Sequence, residues 1–307
     1  MTIAAGLGVP GTQPAPSIRV VTWNIRAAIG PGDPFPPAWW RHVRRERLER
    51  IGAILASLDP DIVMLQEVTI MNVDGEIHDQ PLDLARLTGR RVRYGAVHTF
   101  PLVEPETGRP IGAASWGNAI LTRTPLRDGF TTGLPRAADD DLVEPPGADH
   151  PLAGVRYGDA EPGHREARCA VGGRLTTEAN AAGIAVAVAT AHFTYIGRRQ
   201  RELQAAALGS IAHDVGEPMV VGGDFNAPLD AAELAPLTDA FDDAFAAVGL
   251  EPGDPRRQTC GSAAIDHILT RGLVAIDCRV AVEAGDVSDH WPVVADLVPA
   301  SAGPGRR

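Results

Sequence analysis

Asp224 and Asn226 stand two residues apart after a pair of glycines, in Val220-Val-Gly-Gly-Asp-Phe-Asn-Ala-Pro228. If the chain stays extended there, both side chains share one face and Phe225 points the other way, into the core. A carboxylate and an amide then converge where a phosphate oxygen, a water or a metal ion can sit. An Asx turn before Pro228 accounts for the same residues without any ligand. Glu67 closes the apolar run Ile62-Val-Met-Leu-Gln-Glu, where a buried carboxylate needs a partner. A hard cation is one such partner, and solvent at a strand end is the other. Asn24, after Trp23, offers a neutral oxygen to the same ion or simply begins a turn. Glu67 with Asn24 and one aspartate suits Mg²⁺, which takes few carboxylates and completes its shell with water and phosphate oxygens.

A third segment is Gly285-Asp-Val-Ser-Asp-His-Trp-Pro292. A histidine titrating near neutrality, here His290, can act as general base toward a water. Its ring needs an orienting acceptor, and Asp266 in Ile265-Asp-His-Ile-Leu can supply one from another strand. Asp289 is placed to reach a metal or the attacking water. His192 ends a run in which Ile184, Val186, Val188 and Thr190 share its phase. It is either a satisfied core histidine or a donor at the same strand-end site.

Short elements must position these groups. Ile18–Ile25 is β-branched and aromatic and reads as a strand. Arg41–Leu58 spaces Leu48, Ile51, Leu55 and Leu58 on one helical face, stopped by Asp59-Pro60. Asp61–Glu67 reads as a buried strand with its charge at the C-terminal end. Gly117–Arg123, Ala167–Thr176, Ile184–His192, Met219–Asn226, Ile265–Thr270 and Pro292–Val298 read as further strands, and Arg198–Ala212 as a helix. Each candidate polar residue falls at or near an end of a short apolar strand. Residues 1–17 are expected to be a disordered N-terminal segment, 299–307 a flexible tail, and 131–165, rich in Gly, Pro and acid, an insertion in one domain spanning 18–298.

Composition narrows the class. The chain has 307 residues, 44 % hydrophobic and 22 % charged, with a formal net charge of −11. That charge disfavours sequence-blind binding to nucleic acid, which needs a basic field. Lysine is absent, so neither a Schiff-base lysine nor a Walker lysine is available. No apolar run approaches the ~18 residues of a membrane span, and no integral membrane association is expected. Cys169, Cys260 and Cys278 make no CxxC pair, which suggests a reduced cytoplasmic protein without a cysteine zinc site. A monomer is expected.

Trp23-Asn24, Leu65-Gln66-Glu67, Gly117-Asn118-Ala-Ile-Leu, Thr190-Ala-His192, Gly222-Gly-Asp224-Phe-Asn226, Ile265-Asp266-His267 and Ser288-Asp289-His290 resemble, in order, the motifs of the endonuclease/exonuclease/phosphatase superfamily of DNase I-like metal-dependent phosphohydrolases. The resemblance implies an α+β fold: a four-layer α/β sandwich of two face-to-face mixed β-sheets flanked by helices. It implies a Mg²⁺-dependent hydrolase, with Mn²⁺ as a substitute, cleaving a phosphoester, most readily a phosphodiester, by in-line attack of water. Glu67, Asn24 and Asp289 would hold the metal, Asp224 would align or deprotonate the attacking water, and Asn226 would hold that water and the phosphate. His192 and His290 would donate to the phosphate, with Asp266 fixing His290. Asn118 and Arg168 match positions expected to bind substrate. Alternatives are a DNA or RNA nuclease, a sphingomyelinase-like lipid-headgroup phosphodiesterase, and last a non-catalytic binding module. The acidic 131–165 segment and the lack of a basic strip speak against polyanions. Arg198, Arg199 and Arg201 either line the cleft mouth or pair on a solvated helix face.

Overall fold

The computed structural model describes residues 17–32, 38–136, 167–177, 183–195 and 197–300. Residues 1–16 of the expected N-terminal segment, most of the 131–165 insertion and most of the tail therefore lie outside the described residues. Strand β1 (Ile18–Asn24) is apolar on both faces, and this sets the layering. Ile18 and Val20 pack with Met64, Val188 and Val220, whereas Val21 and Trp23 pack with Ile51 and Leu55. One face of the strand thus meets another sheet and the other meets a helix.

That helix, α1 (Arg45–Leu58), buries Leu48, Ile51, Leu55 and Leu58 at the expected spacing. It begins later than Arg41, because Trp39–His42 forms a separate 3₁₀ turn and Val43 is extended. Asp59 closes it in the left-handed conformation, φ 46°, before Pro60. In chain order there follow β2 (Ile62–Val73), β3 (Glu76–Asp79), α2 (Gln80–Thr88), β4 (Arg91–Val103), β5 (Pro110–Thr122) and β6 (Arg127–Gly133). Then come β7 (Cys169–Leu175), β8 (Val186–His192), α3 (Arg198–Val215), β9 (Met219–Asp224), β10 (Asp242–Asp243), β11 (Asp266–Arg271), β12 (Leu273–Val280) and β13 (Val293–Pro299).

The first sheet has the order β12-β13-β1-β2-β5-β4, with β3 added on β2; the second runs β10-β11-β9-β8-β7-β6. Each is mixed. β1 and β2 are parallel with α1 as the crossover, β8 and β9 are parallel with α3 as the crossover, and the other pairings are antiparallel. One apolar cluster lies between the sheets, a second under α1 and α2, and a third under α3. The result is the expected four-layer sandwich. No described helix is long and apolar enough to cross a membrane.

Several boundaries differ from the sequence expectation. β2 continues to Val73, so Glu67 lies inside a strand rather than at its end. β5 starts at Pro110, which puts Asn118 in mid-strand. Residues 131–133 of the expected insertion finish β6 and pair with β7. β4 and β12 escape the pattern because both are sheet edges with bulges: the register slips between Ala96 and His98 and between Ala275 and Asp277. A bulge inverts the alternation on which strand recognition depends.

Candidate active site

Asp224, the last residue of β9, is paired in register with His192 at the end of β8 and with Asp266 at the start of β11. The three form one row across the end of the second sheet. Gly223 makes the row possible: its φ is 151°, and a Cβ would collide with the backbone carbonyl of Ala191. Beyond Asp224 the chain turns instead of staying extended. Asn226 adopts φ 52°, and its N–H donates to Asp224 Oδ1 at 2.9 Å. The Asx turn and the polar convergence are therefore both realised. Phe225 points inward as expected and stacks on Phe193, with ring centroids 4.8 Å apart. Asn226 Nδ2 donates to the Phe193 carbonyl at 2.9 Å and lies 3.0 Å from His192 Nε2.

The first sheet meets this row through Asn24 and Glu67. Val63 and Leu65 face α1, and simple alternation would send Glu67 the same way. The register shifts between Leu65 and Val68, Val68 takes the helix-facing place, and Glu67 adopts φ 55°. A strand bulge thus re-aims the carboxylate toward the site. Asn24 Nδ2 donates to Glu67 Oε1 and to Asp224 Oδ2, each at 3.0 Å. Asn24 Oδ1 accepts the Arg26 N–H at 3.0 Å. The amide expected as an oxygen ligand therefore presents its nitrogen to the carboxylates, and its oxygen is already partnered by backbone.

The loop before β13 delivers His290. Ser288 Oγ donates to the Asn24 carbonyl at 2.8 Å, and Trp23 Nε1 donates to the His290 carbonyl at 2.9 Å. His290 Nδ1 lies 2.7 Å from Asp266 Oδ2, and Nε2 lies 3.8 Å from Asp224 Oδ2. Asp289 pairs with Arg26 at 3.3 Å. The buried Arg168 reaches His192 Nδ1 at 3.3 Å. The other ring nitrogen, Nε2, lies between Asn226 Nδ2 at 3.0 Å and Asp224 Oδ2 at 3.4 Å. Asn118 Nδ2 donates to the Cys169 carbonyl at 3.0 Å, tying the two sheets together beside Arg168.

Burial governs the electrostatics. Burial raises Glu67, and the nearby Asp289 charge pushes the same way against the Asn24 hydrogen bond. Asp224 is pushed up to about 7 by burial and by Asp266. His192 is held well below its ordinary value by burial and by the positive Arg168 and His290. Burial works against charge on His290 too, but the Asp266 charge and hydrogen bond and the neighbouring Cys260 outweigh it and hold the ring well above its ordinary value. Glu67 Oε2 and Asp266 Oδ1 are buried with no hydrogen-bond partner. Asp224, Asp266 and His290 can bring ligating atoms within 4.8 Å of one another. Carboxylates without enough donors, from both sheets, suit a cation.

Other supports were not legible as site residues. Gln66 Nε2 donates to Thr190 Oγ1 at 2.9 Å and to Thr22 Oγ1 at 3.1 Å, a buried cross-sheet link behind Glu67. Trp23 and Ser288 sat inside recognised motifs, whereas Arg26 and Cys260 carried no sequence signal. The arginines after His192 serve α3 instead: Arg201 is buried on Glu233 at 2.7 Å, Arg198 lies 3.5 Å from Glu233, and Arg199 pairs with Glu202 at 2.6 Å.

Comparison with known proteins agrees with the fold. Among curated proteins no sequence match was found. Solved structures share the fold. An endonuclease/exonuclease/phosphatase from Beutenbergia cavernae superposes with TM-score 0.63 at 22 % identity, covering 94 % of this chain and 73 % of that one. The human Nocturnin catalytic domain, with a bound sulfate anion, gives 0.57 at 19 %, covering 93 % and 94 %. TDP2 from C. elegans gives 0.56 at 16 %, covering 92 % and 75 %. The sequence profile of the Endonuclease/Exonuclease/phosphatase family matches residues 21–290, nearly the whole chain, and the chain belongs to that family.

Proposed function

We propose that this chain is a divalent-metal-dependent hydrolase that cleaves a phosphoester, most readily a phosphodiester, by in-line attack of water. The observation that carries the reading is the convergence of Glu67, Asp224 and His290, with Asn24 Nδ2 at 3.0 Å from both carboxylates and His290 Nε2 at 3.8 Å from Asp224. The orphaned Glu67 Oε2 and the proximity of Asp289 fit a hard cation, which would take the place of the proton that burial favours on Glu67. Glu67 and Asp289 would hold it, with Asn24 bracing Glu67. When bound, Mg²⁺ or Mn²⁺ supplies Lewis-acid charge to the phosphate oxygens.

The protein's own groups divide the remaining work. Asp224, raised to about 7, is poised to take the proton of the attacking water, and the Asn226 turn fixes its second oxygen. His290, kept cationic by Asp266, donates to a phosphate oxygen. On this reading Asp224 is the base and His290 serves as the phosphate donor that the resemblance implies. His192, held neutral by burial, lines the same pocket at 3.4 Å from Asp224. Fixed donors around charge that spreads over the equatorial oxygens lower the barrier to phosphoryl transfer. The sulfate bound by the Nocturnin domain is consistent with anion recognition on this fold.

The test is hydrolysis of an aryl phosphodiester by metal-stripped protein with added Mg²⁺ or Mn²⁺, followed by single- and double-stranded DNA, RNA, sphingomyelin and inositol phosphates. Turnover that appears with the metal and stops with EDTA is expected. Turnover unaffected by EDTA, or undiminished in His290→Ala, would overturn the reading.

A further inference from the structure

Cys260 lies beside the site without belonging to the oxygen-rich set. The residue is 4 % exposed, and an antiparallel bridge pairs its backbone with that of His290. The Trp291 N–H donates to the Thr259 carbonyl at 2.7 Å, clamping the same two segments. The Cys260 sulfur, an Asp289 carboxylate oxygen and a His290 ring nitrogen can all lie within 4.8 Å of one another. Thiolate, imidazole and carboxylate together are the ligands of zinc-class cations, and three protein ligands leave the fourth tetrahedral position open. Mg²⁺ has no use for the sulfur.

We propose that Cys260, Asp289 and His290 form an inhibitory site for a thiophilic divalent cation such as Zn²⁺, set apart from the Mg²⁺ site by its sulfur ligand but sharing Asp289 with that site and His290 with the reaction. On binding, the Cys260 S–H bond and one His290 N–H bond break, sulfur–metal and nitrogen–metal bonds form, and both protons leave to solvent. Asp289 gives up part of its pairing with Arg26, now 3.3 Å. Whichever ring nitrogen His290 uses, catalysis is blocked, since Nδ1 is held by Asp266 at 2.7 Å and Nε2 is the one turned toward Asp224. The inhibitory consequence rests on the hydrolase reading; the binding site itself does not.

The experiment therefore reads binding and activity separately. Metal-free protein titrated with Co²⁺ is expected to develop a near-ultraviolet sulfur-to-cobalt charge-transfer band that Zn²⁺ abolishes. The band should vanish in Cys260→Ser, weaken in Asp289→Asn and persist in Cys278→Ser. In Mg²⁺-supported hydrolysis, the Zn²⁺ concentration for half-inhibition should rise at least about tenfold in Cys260→Ser. A band without any hydrolysis would sink the hydrolase reading and keep the site. Absence of the band in the wild type, which needs no variant to fold, or its survival in Cys260→Ser, would overturn the site.

Discussion

Asn24, the last residue of β1, donates its side-chain amide to Asp224, the last residue of β9, at 3.0 Å across 200 residues of sequence. The same nitrogen donates to Glu67. One neutral side chain thus joins the two sheets and holds apart two carboxylates that would otherwise repel. Burying unpaired carboxylates costs several kcal/mol each, so the arrangement is unfavourable until a proton or a cation is shared among them.

The cation should stabilise the fold through Glu67. Mg²⁺ is expected to raise the wild-type melting temperature, by an amount that grows with concentration beyond Kd. Glu67→Gln, which keeps the shape and the Asn24 contact but removes the charge, should lose that rise while melting normally in EDTA. Differential scanning fluorimetry with and without Mg²⁺ reads this directly, and an equal Mg²⁺ response in the variant counts against Glu67 as ligand.

Asp224 predicts a pH dependence of metal-free stability with an unusual sign. Its folded value, about 7, lies above its ordinary value of 3.8. Between these, the folded state keeps a proton that the unfolded state releases, so stability falls as pH rises from about 4 to about 7 and levels off above. Asp224→Asn cannot titrate. In EDTA, the wild-type stability relative to the variant should decline across that window and stay constant outside it. Urea unfolding at several pH values is the measurement, and a difference that rises with pH would be the wrong sign.

Asp266 acts through His290, at 2.7 Å from Nδ1. Asp266→Asn should leave KM near wild type and lower kcat by about 10²–10⁴. Because the carboxylate is what raises His290, the ring of the variant should titrate lower. The alkaline limb of the rate profile should then move to lower pH, a shift that loss of packing alone would not produce.

Gly223 tests the packing of the row. Its Cβ would strike the Ala191 carbonyl, whereas Gly249, also at positive φ (78°), has nothing within 4 Å. Gly223→Ala should cost about 1–3 kcal/mol more than Gly249→Ala. Comparable urea midpoints for Gly223→Ala and Gly249→Ala would remove the steric argument.

The local sequence was enough for β1, the buried face of α1, β8, β9 and the inward Phe225, because each is an uninterrupted periodic run whose burial follows from its own residues. The chemical types at the site were equally legible: oxygen-rich groups and two imidazoles near strand ends. Tertiary structure alone decided how they meet. Whether Glu67 faces α1 or the site depends on a bulge opposite β5, and bulges leave no mark in composition. That Asn24 offers nitrogen rather than oxygen depends on Arg26 and Asp224, and that the His290 ring is held well above its ordinary value depends on Asp266 from another strand. Cys260 reaches His290 only through a bridge between distant loops. Periodicity is a property of neighbours in the chain, whereas charge, proton position and ligand geometry belong to groups that only folding makes neighbours.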